Sequence, residues 1–323
     1  MFSQLKGAKA AWRWAALVAC VTLAAVTLSA PGPDINLRSA IALHDFGHVV
    51  AFGLVTALLT LTLGARPRPT VAARIRAICV AAGAALGLGA AVELAQAVSG
   101  SHGDPWDVLR DGAGALSAAL ILVALDPRIS SRGRMSVGAL ASVALTTLAY
   151  PVFAALEDEA RAKNQFPVLA NFETAGELSR FHLGEGARPT VVRITDDEGQ
   201  SVSAMQLHWP AARYPGLELR YFPRDWRGMH ALKLIVVNPE PTPIEITVRI
   251  DDIEYRSNLL DRYNRAFALS PGLNRIEIPL SDVEFAPRDR RLDLGRVHAV
   301  LVFAVNLDQP RRMIIGPISL VPS

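Results

Sequence analysis

In the first half of the chain Asp45, His48, Glu93, Asp107 and Asp111 interrupt runs that are otherwise apolar. Residues three or four apart share one face of a helix, which sets Asp45 with His48, Glu93 with Gln96, and Asp107 with Asp111. An imidazole oriented by a carboxylate can take a proton as a general base. In that chemistry His48 is the base, Asp45 orients it, and Glu93 with Asp107 would hold a metal or a leaving group. Plainer roles compete for some of these acids. Asp104, followed by Pro105 and then Asp107, has the pattern of a helix N-cap, and Asp45 at a helix start is favoured by the helix dipole. Glu93 has no such account, because it falls near a helix C-terminus, where the dipole disfavours an anion. An ionised group in hydrocarbon also costs about 3 kcal/mol or more. It therefore needs a partner, and Arg110 or a protonated His48 are the candidates.

The elements that carry these residues are long and apolar. The chain has 323 residues, 51% of them hydrophobic and 20% charged, which excludes a disordered, collagen-like or disulfide-built protein. Residues 1–156 hold only 12 of the 33 Lys and Arg and 7 of the 30 Asp and Glu. A bilayer-crossing helix needs about 20 mainly apolar residues, and residues 14–30, 46–65, 77–98, 112–125 and 135–156 supply five candidate spans. The fourth reaches full length only if Asp107 and Asp111 enter the helix. Ten cations gather at one set of span ends, and only Arg38 and Arg110 at the other. Cations are retained on the cytoplasmic side, so the N-terminus reads as cytoplasmic and everything after residue 156 as extracytoplasmic. The first span also fits a cleavable signal peptide, and its removal would leave the orientation unchanged. Cys20 and Cys79 form no metal or redox motif, and no basic stripe with aromatics points to nucleic acid.

Three short motifs in this half, Asp45-x-x-His48-x-x-x-Phe52, Glu93-x-x-Gln96 and Asp107-x-x-x-Asp111-x-x-Gly114, lie on successive spans. Over residues 40–125 the chain resembles the VanZ-like membrane family, whose pattern is Asp-x-x-His-x-x-x-Phe, Glu-x-x-Gln and Asp-x-x-x-Asn-x-x-Gly. Asp111 stands where the family usually has Asn. The family's preceding Arg is absent, with Ser101 and His102 in that region. The family is named for an accessory of glycopeptide-antibiotic resistance, and the resemblance implies a cell-envelope role without an established reaction. Low lysine against high arginine and alanine fits a GC-rich bacterial source.

Past a polar stretch at residues 157–165, read as a linker or short helical extension, the hydrophobic period shortens. Strand-like runs at 201–209, 217–222, 231–237, 244–250, 274–280, 297–305 and 313–321 are separated by turn signals such as Ser270-Pro271-Gly272. Residues 166–323 therefore read as an antiparallel β-sandwich of the jelly-roll kind. The segments around Asn171, Asp225-Trp226-Arg227-Gly228, Asp261-Arg262-Tyr263-Asn264 and 272–280 resemble galactose-binding-like carbohydrate-binding modules. That resemblance implies sugar stacking on Trp226, Tyr221 and Tyr263, with Arg224 and Asp261 bonding hydroxyls. Trp226 has core packing as its alternative. A calcium held by Glu173 would also fit such a fold, although one carboxylate is a thin ligand set.

The sequence thus predicts an α-helical polytopic membrane bundle (1–156), a linker (157–165) and an all-β sandwich (166–323) in the plasma membrane. Its expected partners are the lipid bilayer and an envelope glycan or lipid-linked glycan; the cofactor is unassigned and no metal centre is expected. Glycan recognition leads. A membrane-embedded hydrolase or transferase using His48, Asp45 and Glu93, with Gln96, Asp107 and Asp111 binding, is the alternative; HExxH, GxSxG and P-loop signatures are absent. A small proton-coupled transporter comes last.

Overall fold

The computed structural model describes residues 37–63, 70–98, 105–184, 187–196 and 198–323, together with Ala15, Val18, Ala19 and Thr22. Most of the expected first span, Cys20, Asp34, Ser101, His102 and Asp104 lie outside the described residues. The chain divides into two compact units, one built on residues 39–153 and the other on residues 154–323 with the short segment just before residue 39.

Four helices are described before the β region: α1 (Arg38–Leu63), α2 (Val71–Val98), α3 (Pro105–Ala124) and α4 (Ser131–Gln165). Helices α1, α2 and α4 are long and apolar enough to cross a membrane. Helix α3 is not, because Asp107, Arg110 and Asp111 all fall in its first two turns. The expectation of five spans is therefore met by three helices among the described residues. Phe52, Val55, Ala85 and Ala115 form the shared core of α1, α2 and α3. Glycine lets these helices approach closely, as small residues do when backbones must touch. A Cβ on Gly114 would lie 2.2 Å from the Val49 carbonyl oxygen, and one on Gly89 would lie 3.1 Å from the Asp111 Cβ. Asp126, just past α3, pairs with Arg74 of α2 at 3.2 Å.

The second unit begins inside α4. The stretch 157–165, read from the sequence as a linker or a short helical extension, is the end of that helix, and Asp158 fastens it to the β region. The Asp158 carboxylate accepts from Arg180 Nε at 3.0 Å and from Arg38 at 3.0 Å, while Arg180 also donates to the Leu169 carbonyl at 2.7 Å. Arg180 is wholly buried.

Among the described residues eleven strands follow: β1 (Val168–Ala170), β2 (Phe181–Leu183), β3 (Thr190–Thr195), β4 (Ser201–Trp209), β5 (Gly216–Leu219), β6 (Met229–Asn238), β7 (Ile244–Asp252), β8 (Tyr263–Leu269), β9 (Gly272–Pro279), β10 (Val297–Phe303) and β11 (Arg311–Pro322). They form two antiparallel sheets, ordered β3-β4-β11-β6-β9, with β1 on β11, and β2-β5-β10-β7-β8. Alternate side chains of both sheets, among them Leu207, Trp209, Leu232, Ile246, Val248 and Ile315, make one continuous core. The expected sandwich is present. Seven strands fall where hydrophobic alternation placed them; β1, β2, β3 and β8 were not foreseen. Strands β3 and β8 are sheet edges with exposed residues on both faces, so their alternation is weak.

Glu173, the one carboxylate that such a fold could offer to calcium, is exposed. The buried acid of that segment is Glu177, whose carboxylate accepts from the backbone amides of Asn171 at 2.7 Å and Phe172 at 2.9 Å. Those bonds hold Phe172 at a φ of 57°. Among the described residues no group of three or more His, Cys, Asp and Glu is arranged to hold a metal ion.

Candidate functional site

Two places gather chemistry-bearing side chains, one in each unit. In the helical unit, the Val49–Gly114 contact brings α1 against α3, and His48 meets Asp111 one turn before that glycine. His48 Nδ1 lies 3.0 Å from Asp111 Oδ1, and both side chains are buried. With Asp111 ionised, Nδ1 carries the proton and donates to it, which turns Nε2 toward Asp107 Oδ2 at 4.0 Å. Asp45 does not orient His48. It pairs instead with Arg110 at 2.8 Å, and Arg110 also bonds Asp107. The expected Asp45–His48 couple within one helix is thus replaced by two couples between helices, because each acid finds a better-placed hydrogen-bond donor on the facing element. Glu93 is buried on the same face of α2 as Gly89, one turn further along. Since Gly89 packs on Asp111 and the two helices run antiparallel, Glu93 sits at the level of Asp107. Gln96 follows on that face.

In the β unit the structure redistributes the expected sugar-binding residues. Trp226 is fully buried beside Phe222, with ring centroids 5.6 Å apart and its Nε1 donating to the Pro223 carbonyl at 3.1 Å. Its faces are covered by protein, which corrects the stacking role. Tyr263 points into the core opposite Ile250, and burial raises the pKa of its hydroxyl. Asp261 is the counterion of Arg290, which also grips the buried Asp252. The bond from Arg290 holds the Asp261 carboxyl below the ordinary range. Tyr221 and Arg224 line a small cavity of about 220 Å³ with Leu37 and Lys163, apart from the other three.

A larger groove, about 630 Å³, lies on the outer face of the β2-β5-β10-β7-β8 sheet. Successive pairings place His182 beside Glu218, Glu218 beside Leu301, Leu301 beside Arg249 and Arg249 beside Asn264. These five side chains form one row across the whole sheet, about 19 Å long at the usual strand spacing. The next row is shallow, since it runs through Gly216, Phe303, Thr247 and Ala266. Gly216 is required there, because a Cβ would meet the Val302 carbonyl oxygen at 2.4 Å and the Phe303 Cβ at 2.5 Å. Tyr214, 59% exposed and edge-on to Phe303 of the central strand at 6.0 Å, also lines the trough, as do Leu259 and Arg262 just before β8. Behind Arg249, Asp251 accepts from its Nε at 2.7 Å, and burial raises the Asp251 pKa. Nearby His298 is shifted down by burial.

None of these groove residues was named as a ligand from the sequence. The available signal was the polar position between core residues of each strand, because successive side chains alternate between faces. Arg262 and Asn264 flank Tyr263 and face the groove where Tyr263 faces the core.

Solved structures with some likeness to this chain include an exo-β-agarase, 16% identical with a TM-score of 0.41 over 48% of this chain and 25% of the agarase. Another is the family 11 carbohydrate-binding module from Clostridium thermocellum in complex with a β-1,3-1,4-mixed-linked tetrasaccharide, 17% identical with a TM-score of 0.36 over 48% of this chain and 95% of the module. A third is the Clostridium thermocellum xylanase 10B, with its CBM22-1 and GH10 modules complexed with xylohexaose, 10% identical with a TM-score of 0.33 over 48% of this chain and 28% of that one. This chain spans about a quarter of the agarase's length. No family model matches the chain, and no curated protein does.

Proposed function

We propose that this chain is a membrane-anchored glycan-recognition protein of the cell envelope, its apolar helices seated in the lipid bilayer and its β unit exposed outside the plasma membrane. The observation that carries the reading is the row from His182 to Asn264, a trough that crosses every strand of one sheet and is about 19 Å long, room for about four sugar rings. Sugars present apolar ring faces and hydroxylated edges. Tyr214, Phe303 and Leu301 offer surface for the former; Asn264, Thr247, Glu218 and Arg249 offer donors and acceptors for the latter. Membrane anchoring is supported by three sufficiently long apolar helices, and the VanZ-like resemblance by the motif residues His48, Asp107 and Asp111 meeting in one cluster.

The test is calorimetric titration of the full chain in lipid nanodiscs with envelope-derived oligosaccharides of increasing length. Affinity is expected to rise with length until the trough is filled. Tyr214→Ala is expected to weaken binding about tenfold, the usual scale for an exposed aromatic anchor. A silent titration across neutral and acidic glycans would remove the reading.

The pairing of His48 with Asp111 favours a second reading, a membrane-embedded hydrolase or transferase acting on a lipid-linked glycan. Here Asp111, not Asp45, fixes the tautomer that leaves Nε2 of His48 free to accept a proton. Asp111→Asn and His48→Gln are then each expected to lower turnover of such a substrate by about a hundredfold or more, measured on protein that still runs as a folded species. Turnover unchanged in both variants would eliminate catalysis.

A further inference from the structure

Among the described residues the charged side chains at the groove differ in how they are paired. Glu218 is neutralised by a two-pronged bond from Arg220, with Nε and Nη2 each at 3.0 Å from a carboxylate oxygen. Arg249 is neutralised by Asp251. Arg262 is different. Its guanidinium lies 5.6 Å from the Tyr255 ring centroid and donates to the Tyr255 hydroxyl at 2.9 Å, while Arg249 covers the same ring at 4.5 Å. Two guanidiniums are thus held against one aromatic ring with one carboxylate between them. Among the described residues no carboxylate forms an ion pair with Arg262; the adjacent Asp261 shares Arg290 with the buried Asp252. Beside the lining residue Tyr214, the exposed Arg213 lies 5.1 Å from its ring centroid, with no ion pair to a carboxylate among the described residues. Of these two guanidiniums, that of Arg262 lines the groove itself.

Resting on the glycan reading above, we propose that the groove selects acidic glycans, chains whose sugar rings carry carboxylates, and that Arg262 is the residue that sets this preference. A guanidinium meets a carboxylate with two parallel hydrogen bonds, a geometry that hydroxyls do not match. Arg262, kept in place by Tyr255, is pre-oriented to make them. A neutral chain could occupy the same trough but would leave Arg262 without an anion.

The experiment uses the full chain in nanodiscs of uncharged lipid, titrated with an oligouronate and with the same oligosaccharide after reduction of its carboxyls to alcohols. The acidic form is expected to bind about tenfold or more tightly, with an advantage that shrinks as salt is added. Arg262→Gln is expected to bring the two affinities to within about threefold of each other, and Arg262→Lys to retain part of the gap. Equal binding of both forms by the unaltered protein would overturn the selectivity while leaving glycan recognition standing. An acidic preference that survives Arg262→Gln would overturn the role given to Arg262. If neither form binds, the glycan reading itself fails.

Discussion

Arg180→Ala is expected to destabilise the β unit by about 3–5 kcal/mol, the cost of stripping a buried carboxylate of its main partner. Arg180 is wholly buried and Asp158 is 5% exposed, so solvent does little to soften the loss. The alanine would leave Asp158 with Arg38 alone and the Leu169 carbonyl without its donor. The measurement is denaturant unfolding of the full chain in detergent, followed by the fluorescence of the buried Trp209 and Trp226. Double replacement by Arg180→Met and Asp158→Leu should recover much of the stability, because an apolar pair of similar size removes the orphaned charge with its partner. A loss below about 1 kcal/mol in the single variant would mean that the end of α4 is not fastened to the sandwich by this pair.

The second large effect is expected at Gly114. A methyl group there meets backbone, the Val49 carbonyl, and backbone has no rotamer with which to yield. Gly114→Ala can be accommodated only by moving α1 away from α3, at a cost of about 3 kcal/mol or more. His48 and Asp111 would part with the helices. Gly47→Ala is the matched control, since nothing lies within 4 Å of a Cβ at that position. Gly89→Ala is intermediate, as its methyl would meet the Asp111 carboxylate, which can swing aside at the expense of the His48 bond. Thermal stability of the three variants in detergent should rank Gly47→Ala, Gly89→Ala, Gly114→Ala from most to least stable. Equal stability of the first and last would contradict the close helix contact on which the cluster depends.

What could be read from the sequence depended on whether the signal was local. Apolar length marks α1, α2 and α4, and alternation marks the central strands, because each reflects burial of that segment's own face. The edge strand β8 has Asn264, Arg265 and Ala266 exposed in succession and therefore looked like a ligand loop. The error was then one of face: Tyr263 was read as outward, whereas its neighbours Arg262 and Asn264 hold the outward positions, the reversal that a single-residue shift produces in a strand. Trp226 sits among Asp225, Arg227 and Gly228, surroundings that suggest an exposed turn; its burial depends on Phe222 and on strands distant in sequence. In the helical unit, three- and four-residue spacing found the residues but not their partners. The couples His48–Asp111 and Asp45–Arg110 cross between helices, and only the close approach permitted by Gly114 and Gly89 brings them together.

We propose the outer face of the β2-β5-β10-β7-β8 sheet as the surface where this chain meets a glycan. It is tested most directly by carbene footprinting of the full chain in nanodiscs, with and without a saturating acidic oligosaccharide, read residue by residue by mass spectrometry. Protection is expected at Tyr214, His182, Leu301 and Arg262, with labelling unchanged at Tyr221 and Arg224. Protection at Tyr221 and Arg224 with none along the His182 to Asn264 row would contradict it.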